Sequence, residues 1–320
     1  MVSVDVERCR RVGEIVRTMT IRAGEDLISN FPKGVDEETR MRVLFHVTAI
    51  CHQTRRLRSG SLAGWNLLKS RFVGLAASDP ALVDPKRLRE MGIDGVAALL
   101  ARVFDGAGLT RIRERAELLV DCAEVLCAGY DGKVSNLLAE TNGYVSDLYV
   151  RLSRFKAYSD PLRKKAGVLV RCLNNEGLFE IRDMNCFVPI VDYHMMRVLL
   201  RTGCIGPDDA AMAERLKKFR KISSDADFRV AAQTAFKIIS NVSGKNLFDL
   251  NDIFWSLGRS CCFYRTTLCA DGKCSKTPCT LQKLLGLENH SKCVLEAVCR
   301  GRNDPERRRL KEPNVNTAYY

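Results

Sequence analysis

The sequence predicts an all-α protein, and three observations support this fold class. Apolar residues recur at spacings of three and four along most of the 320-residue chain, as they do on the buried face of an amphipathic helix. Convincing runs of alternating polarity, which are typical of half-buried strands, do not occur. The sequence also shows no internal repeat and no glycine-rich phosphate loop. We therefore expect one helical body over residues 1–257.

Local start and stop signals place the helices along the chain. Leu118, Leu119 and Cys122 share one helical face, and Gly129 follows as a stop signal. Pro207 and the acidic residues after it mark a helix start, because proline and acids favour the first turn. The predicted helices cover residues 5–30, 36–57, 62–77, 86–104, 112–126, 145–156, 161–173, 191–202, 208–221, 225–241 and 247–257, with a further short helix over 293–299.

The last sixty residues contain seven of the fourteen cysteines. Four of them follow Gly258-Arg259 in a C-x6-C-x4-C-x4-C run, namely Cys262, Cys269, Cys274 and Cys279. Residues 1–20 are charged and lack the apolar stretch of a signal peptide, so we expect a cytoplasmic protein with reduced thiols. Clustered cysteines in that compartment more often bind metal. The compact run favours a [4Fe–4S] cluster, with zinc as the alternative.

Three further cysteines are alternative ligands. Cys261 adjoins Cys262 and could replace it, while Cys293 and Cys299 lie beyond the run and could supply a fourth thiolate. We expect a cluster loop over residues 258–299 and a basic tail over residues 300–320. The cluster would order a stretch whose apolar residues are too scattered to fold alone.

The charge of the chain indicates an anionic partner. The net charge is +13 and the pI is about 9.2, which favours nucleic acid or a phosphorylated ligand. A hydrophobic content of 46% is sufficient for a full core, and no segment is long and apolar enough to cross a membrane. We expect a monomer without a membrane partner.

A second informative stretch surrounds Asp192. An apolar approach delivers this aspartate to the start of a predicted helix, where backbone N–H groups and the helix dipole keep a carboxylate ionised. Taken alone, the position favours a capping role. His194 is more often a structural hydrogen-bond partner than a base. Arg197 and Arg201 form an i, i+4 pair, for which we expect a solvated or phosphate-facing helix face.

This stretch resembles the segment of the helix-hairpin-helix DNA glycosylases (the HhH-GPD superfamily) that carries their catalytic aspartate. The matching string is Val191-Asp192-x-His194-x-x-Arg197-Val198-x-x-Arg201-x-Gly203. In that superfamily an aromatic helix, a Gly-Arg pair and a four-cysteine [4Fe–4S] loop follow the aspartate. Phe254, Trp255, Gly258-Arg259 and the cysteines occur here in the same order. The first gap of six residues agrees with that superfamily, whereas the two gaps of four replace its gaps of two and five.

The upstream part departs from this superfamily. Its Leu-Pro-Gly-Val-Gly hairpin, which grips DNA phosphates, does not occur in the chain. Residues 160–169 faintly resemble the helix after that hairpin, and Lys164 matches the lysine that bifunctional members use to form a Schiff base. The resemblance therefore makes Lys164 a candidate lyase lysine. A phosphate-binding or solvated lysine is the alternative.

Residues 42–202 also resemble the queuosine-salvage N-glycosidases, which share the glycosylase-like helical fold and act on a modified nucleoside or its phosphate. The similar stretches include residues 43–50, 59–68 and 176–181, and Tyr193 directly after Asp192 is closer to this group. The salvage enzymes lack a cluster loop, so the chain combines features of both groups.

Both resemblances imply cleavage of an N-glycosidic bond. Asp192 would then stabilise the oxocarbenium-like transition state and orient or deprotonate water. A flat base is held by aromatic faces and placed hydrogen bonds. The candidates for that role are Phe45, His46, His52, Trp65, Tyr193 and His194. Each aromatic residue among them is more often a core residue than a base-holding one.

Three functions stay open at this point. We favour hydrolysis of a modified purine-like nucleoside or nucleotide. The alternatives are a base-excision glycosylase acting on DNA or RNA, and a non-catalytic iron–sulfur protein that binds nucleic acid. The missing hairpin favours the first, whereas the positive charge and the cysteine loop favour the second.

Overall fold

A computed structural model describes residues 1–22, 31–277, 279–288 and 290–320, and it confirms the all-α class. The helices are α1 (Val6–Arg17), α2 (Glu37–Ala49), α3 (Trp65–Ser78), α4 (Pro85–Val103), α5 (Ile112–Tyr130), α6 (Val134–Ala139), α7 (Val145–Leu152), α8 (Lys164–Asn175), α9 (Tyr193–Thr202), α10 (Ala210–Lys217), α11 (Ala226–Ser243), α12 (Leu247–Arg259), α13 (Leu268–Asp271), α14 (Thr280–Leu285), α15 (Arg300–Asn303) and α16 (Pro305–Arg308). Four short strands complete the regular structure: β1 (Val2–Val4), β2 (Arg58–Ser59), β3 (Leu62–Ala63) and β4 (Ile205–Pro207).

The chain forms two compact units. Unit 1 comprises Met1–Glu25 and Val188–Asn316, and unit 2 comprises Asp26–Phe187 and Thr317–Tyr320. Residues 258–299, for which we expected a separate cluster loop, are thus part of unit 1.

Most predicted helices occur, and the differences have local causes. The first ends at Arg17, and residues 23–30 of its predicted range lie outside the described residues. The second stops at Ala49, since Gln53 adopts a left-handed conformation with φ of 47°. The predicted helix over 293–299 is wrong: this segment forms isolated turns, such as Cys299 N–H to the Leu295 carbonyl at 2.9 Å. So short a segment gains too few hydrogen bonds to offset helix nucleation.

Unit 1 is organised around α9, α11 and α12. Helices α1 and α11 approach closely at Gly13, where an added Cβ would lie 2.8 Å from Val242 Cβ. Strand β1 pairs antiparallel with β4 and joins the N-terminal residues to this unit. Helix α12 begins at the capping residue Asn246, whose side chain accepts the Asp249 N–H, and packs on α9. The sequence analysis missed strands β1 and β4.

The C-terminal residues are folded rather than free. Leu310 and Glu312 are buried within unit 1. In unit 2, the Thr317 carbonyl accepts hydrogen bonds from Gln53 Nε2 at 3.0 Å and Arg111 Nη1 at 2.8 Å, and Tyr320 is buried. The predicted basic tail therefore contributes side chains to the interior of the protein.

Unit 2 surrounds α2, whose residues are buried on nearly every side. Its capping residue Asp36 accepts the Thr39 N–H at 2.9 Å, which satisfies a donor that the helix itself leaves unpaired. Helices α4 and α5 pack on each other, and strands β2 and β3 form a short hairpin. None of the helices in the described ranges is both long and apolar enough to cross a membrane.

Candidate functional site

Asp192 lies in unit 1 and caps α9. Its Oδ1 accepts the backbone N–H groups of His194 at 2.7 Å and Met195 at 3.1 Å, and the residue is only 7% exposed. Two N–H donors and the positive end of a helix stabilise the ionised form of a buried carboxylate. This geometry suits both a structural cap and a functional negative charge.

His194 follows Asp192 and lies against the Gly258 backbone of α12. A Cβ at Gly258 would lie 2.8 Å from His194 Cβ and 2.8 Å from its carbonyl oxygen, so only glycine permits this approach. The sequence analysis singled out Gly258 as part of a motif but gave it no packing role. The packing of Gly258 against α9, the helix that Asp192 caps, is therefore seen only in the structure.

Arg197 links α9 to the end of α12 and to Glu312. It is buried, and it donates to the Gly258 carbonyl at 2.6 Å, the Cys262 carbonyl at 3.1 Å and His194 Nδ1 at 2.9 Å. Its Nη1 also pairs with Glu312 at 2.7 Å. Burial opposes the charge of Arg197, but the carboxylate of Glu312 outweighs burial and raises the pKa of Arg197. The sequence suggested a solvated or phosphate-facing arginine, whereas the structure shows a buried one.

The hydrogen bond from Arg197 also defines the state of His194. Because arginine can only donate, His194 Nδ1 must accept and the ring proton must sit on Nε2. His194 is then neutral and can donate from Nε2. The Tyr193 ring lies beside it, with ring centroids 4.3 Å apart.

One group of cysteine and histidine side chains has the geometry of a metal site. The ligand atoms of Cys261, Cys274, Cys279 and His290 all lie within 4.8 Å of one another. The sulfur–sulfur distances are 3.5, 3.6 and 3.7 Å, and the distances from His290 Nε2 to the three sulfur atoms are 3.0, 3.2 and 3.2 Å. The hydrogen bond from Cys261 lowers the pKa of Cys279, which favours a thiolate there. This Cys3His group is able to bind a metal ion.

Four other cysteines line a cavity of unit 1 that Cys261 of the Cys3His group also borders. Its wall includes Cys262, Cys269, Cys293 and Cys299, together with Arg201 and Arg308. Burial raises the pKa values of Cys293 and Cys299, and the neighbouring thiols of Cys262 and Cys269 act in the same direction. Arg201 Nη1 donates to Cys262 Sγ at 3.5 Å.

The structure distributes the predicted ligands over these two places. Cys274 and Cys279 belong to the Cys3His group, whereas Cys262 and Cys269 lie at the cavity. Of the alternative ligands, Cys261 joins the Cys3His group, and Cys293 and Cys299 line the cavity. His290 was missed, although a histidine eleven residues after Cys279 is a pattern that a search for zinc ligands could have found.

The other predicted pocket residues belong to unit 2. Phe45 is fully buried and packs against Phe155 and Tyr158, with ring centroids 5.3 and 5.1 Å apart. His46 is also fully buried, its Nε2 lies 3.1 Å from the Val83 carbonyl, and burial lowers its pKa to about 4. These contacts are those of core residues. A role for either in holding a base stays a prediction.

His52 and Lys164 lie near the C-terminal end of α2. His52 Nε2 is 3.0 Å from Glu114 Oε1, and burial together with nearby cations strongly lowers the pKa of His52, so the ring is neutral. Lys164 is buried and its Nζ lies 3.3 Å from Cys51 Sγ. Trp65 begins α3 and is half-buried. Their predicted contacts with substrate, phosphate or a Schiff base stay untested.

A comparison with protein-family models supplies the family. The model described as queuosine salvage protein matches residues 58–239, which is more than half of the chain. The chain belongs to the queuosine salvage protein family. A search of the curated proteins found no match.

The family match has a clear boundary within the chain. It includes Asp192, Tyr193 and His194, and it ends within α11, before every ligand of the Cys3His group and before every cysteine that lines the cavity. The predicted resemblance of residues 42–202 to queuosine-salvage proteins is thus confirmed at the level of the family. The resemblance to the HhH-GPD superfamily stays a prediction.

Proposed function

We propose that this protein hydrolyses the N-glycosidic bond of a queuosine-type nucleoside or nucleotide and that Asp192 is its catalytic carboxylate. The single observation that carries the proposal is the buried Asp192 carboxylate, held by two N–H groups inside the segment that matches the queuosine salvage family. A substrate with a modified purine-like base follows from the family.

The chemistry follows from charge. As the bond between the base and the sugar breaks, the electron pair leaves with the base and positive charge develops on the sugar. An ionised Asp192 beside the anomeric carbon stabilises that charge. It also orients a water molecule, whose oxygen forms the new bond to the sugar while one of its protons passes to the departing nucleobase.

His194 and Tyr193 are positioned to assist Asp192. The neutral His194 can donate a hydrogen bond from Nε2, because Arg197 fixes its tautomer. The Tyr193 ring is only half-buried and offers an aromatic face beside it. These residues follow Asp192 directly on α9, so they move with it as one element.

Replacing Asp192 with asparagine tests the role of its charge. Asparagine is also a good helix cap, so Asp192→Asn retains an acceptor for the two N–H groups while it removes the negative charge. We expect kcat/KM to fall by roughly a hundred-fold or more, as when one stabilising group of a transition state is lost. Release of free base is measured from queuosine, its 5′-phosphate and a queuosine-containing oligonucleotide.

Asp209→Asn is the matched control. Asp209 caps α10 through the N–H groups of Ala211 and Met212, at 2.9 and 3.3 Å, but it is exposed. We expect wild-type activity from this variant. Equal base release by Asp192→Asn and the wild type would exclude Asp192 from the reaction. Release from the oligonucleotide alone, with steep salt dependence, would instead identify a nucleic-acid glycosylase.

We also propose that the Cys3His group binds zinc. A tetrahedral zinc ion with Zn–S bonds of about 2.3 Å requires sulfur atoms about 3.8 Å apart. The observed separations of 3.5 to 3.7 Å are close to this value. A [4Fe–4S] cluster binds each thiolate to a different iron and therefore needs ligands farther apart. The group is closed by four protein ligands, which is typical of a structural site.

Metal analysis of the purified protein tests this assignment. We expect one zinc ion per chain at the Cys3His group, and loss of that ion in Cys274→Ser, because serine replaces a thiolate ligand. Cys186→Ser is the control, since Cys186 is exposed and lies in unit 2. Zinc content that is unchanged in Cys274→Ser would contradict the assignment.

A further inference from the structure

We propose that the four-cysteine cavity binds an iron–sulfur cluster through Cys262, Cys269, Cys293 and Cys299, as a second metal centre distinct from the Cys3His group. Neither the family match nor the proposed glycosidase activity accounts for these cysteines, since the match ends at residue 239. The proposal therefore does not depend on the proposed reaction.

The first argument is convergence from distant positions in the sequence. Cys262 follows α12, Cys269 lies in α13, and Cys293 and Cys299 flank a turn that precedes α15. All four nevertheless line the same cavity. Cysteines that serve only as small core residues have no need to gather around one space.

The second argument is the spacing of the thiols. Among the residues that the structure describes, the Cys3His group is the one set of three or more ligand atoms gathered closely enough to hold a metal ion, and none of these four thiols belongs to it. Ligands to a single tetrahedral ion must be gathered in that way. A cluster spreads its thiolates over several irons and so fits a wider set around a cavity.

The third argument is charge. Four thiolates around an iron–sulfur core carry net negative charge, which requires nearby cations and hydrogen-bond donors. Arg201 and Arg308 line the cavity, and Arg201 donates to Cys262 Sγ. The carbonyls of Leu310 and Phe263 accept from Arg201 at 2.9 and 2.8 Å and hold its guanidinium in place. Backbone contacts thus position a cation beside the proposed ligands.

Close packing brings the C-terminal part of the site together. An added Cβ at Gly301 would lie 2.9 Å from the Arg201 carbonyl oxygen. Cys299 Sγ lies 3.6 Å from the same carbonyl oxygen. Helix α9 therefore supports the cavity through Arg201, and the residues after Cys299 approach α9 directly.

The experiment is a metal and sulfide analysis of the full chain, expressed with iron supply and purified without oxygen. We expect iron and inorganic sulfide in equal amounts together with zinc, a brown colour, and a paramagnetic resonance signal after reduction. In Cys293→Ser and Cys299→Ser, iron, sulfide and colour should be lost while zinc is retained. In Cys274→Ser, zinc should be lost while iron and sulfide are retained.

Several outcomes would overturn the proposal. The absence of iron and sulfide from wild-type protein after anaerobic purification and reconstitution would overturn it. This outcome does not depend on whether the variants fold. Loss of iron in Cys274→Ser together with its retention in Cys293→Ser would place the cluster at the other site. A disulfide between Cys293 and Cys299 in the anaerobic protein, detected by mass spectrometry, would exclude both as ligands.

Discussion

Two buried arginines, one in each unit, stabilise helix ends in different ways. In unit 1, Arg197 donates to the Gly258 carbonyl in the last turn of α12 and has Glu312 as an ionic partner. In unit 2, Arg115 donates to the backbone carbonyls of Ile50, His52 and Thr110. Both side chains are almost completely buried.

The two arginines also differ in the direction in which their pKa values are shifted. Glu312 raises the pKa of Arg197, whereas burial lowers the pKa of Arg115 to about 10. A second buried cation, Lys165, donates to the Ala49 carbonyl at the same end of α2. In unit 2 the hydrogen bonds of Arg115 thus go to carbonyl oxygens, two of them beside the negative end of the α2 dipole, and Glu114 acts on it only through space. Unit 1 instead relies on a full negative charge.

Removing the carboxylate of Glu312 should have the largest effect on stability. In Glu312→Gln, Arg197 stays buried without its ionic partner, and we expect unit 1 to lose about 3 to 5 kcal/mol of unfolding free energy. Trp255 lies in unit 1 and Trp65 in unit 2. Denaturant unfolding of unit 1 is therefore followed by Trp255 fluorescence in a Trp65→Phe background.

Glu306→Gln is the control for that measurement. Glu306 contacts Lys217 at 2.8 Å and Arg309 at 2.9 Å, but its side chain is 58% exposed. Exposed ion pairs contribute little to stability because water and salt screen them, so this variant should be close to wild type. If both variants lose the same amount, the buried pair has no special role.

A smaller effect is expected from pH in unit 2. Burial lowers the pKa of Lys165 to about 8 from an ordinary value of 10.5. Between these values the unfolded chain binds a proton that the folded chain has released, so this lysine makes unit 2 more stable as pH rises from 8 to 10.5. The gain should approach about 3 kcal/mol, and below pH 8 the full cost of burying the charge is present.

The measurement is a difference between variants, because the buried thiol of Cys122 has a raised pKa and changes stability in the opposite direction as pH rises. Unfolding is followed by Trp65 in a Trp255→Phe background, for the parent and for Lys165→Met. The parent should gain stability relative to Lys165→Met across this range. Lys156→Met, whose lysine side chain is 77% exposed, should give no such difference, and equal slopes in all three proteins would refute the assignment.

The fold class and most helices were predictable because amphipathic periodicity is a local property. Asp192 was also identified correctly as the start of α9, since capping depends on the neighbouring residues. The short helix at 293–299 was predicted wrongly from the same kind of pattern. Local patterns thus predicted most helices, but one of the predicted helices does not occur.

The buried pairs were not predictable in this way. Arg197 and Glu312 are 115 positions apart, and neither sequence neighbourhood signals the other. The cysteines were grouped by their closeness in the sequence, whereas the structure pairs Cys262 and Cys269 with Cys293 and Cys299 across the segment that carries Cys274, Cys279 and His290. Which thiols share a site depends on the three-dimensional path of the chain between them. The local spacing of cysteines in a single sequence does not show that path.

The interleaving of the two cysteine sites along the chain has a consequence for the order of assembly. Three of the four ligands of the Cys3His group, Cys274, Cys279 and His290, lie within the segment that joins Cys269 to Cys293. An ion bound there would shorten the free chain between the two halves of the cavity by more than half. Loop closure would then cost about 1 kcal/mol less entropy, so zinc loading first would favour gathering the remaining four thiols.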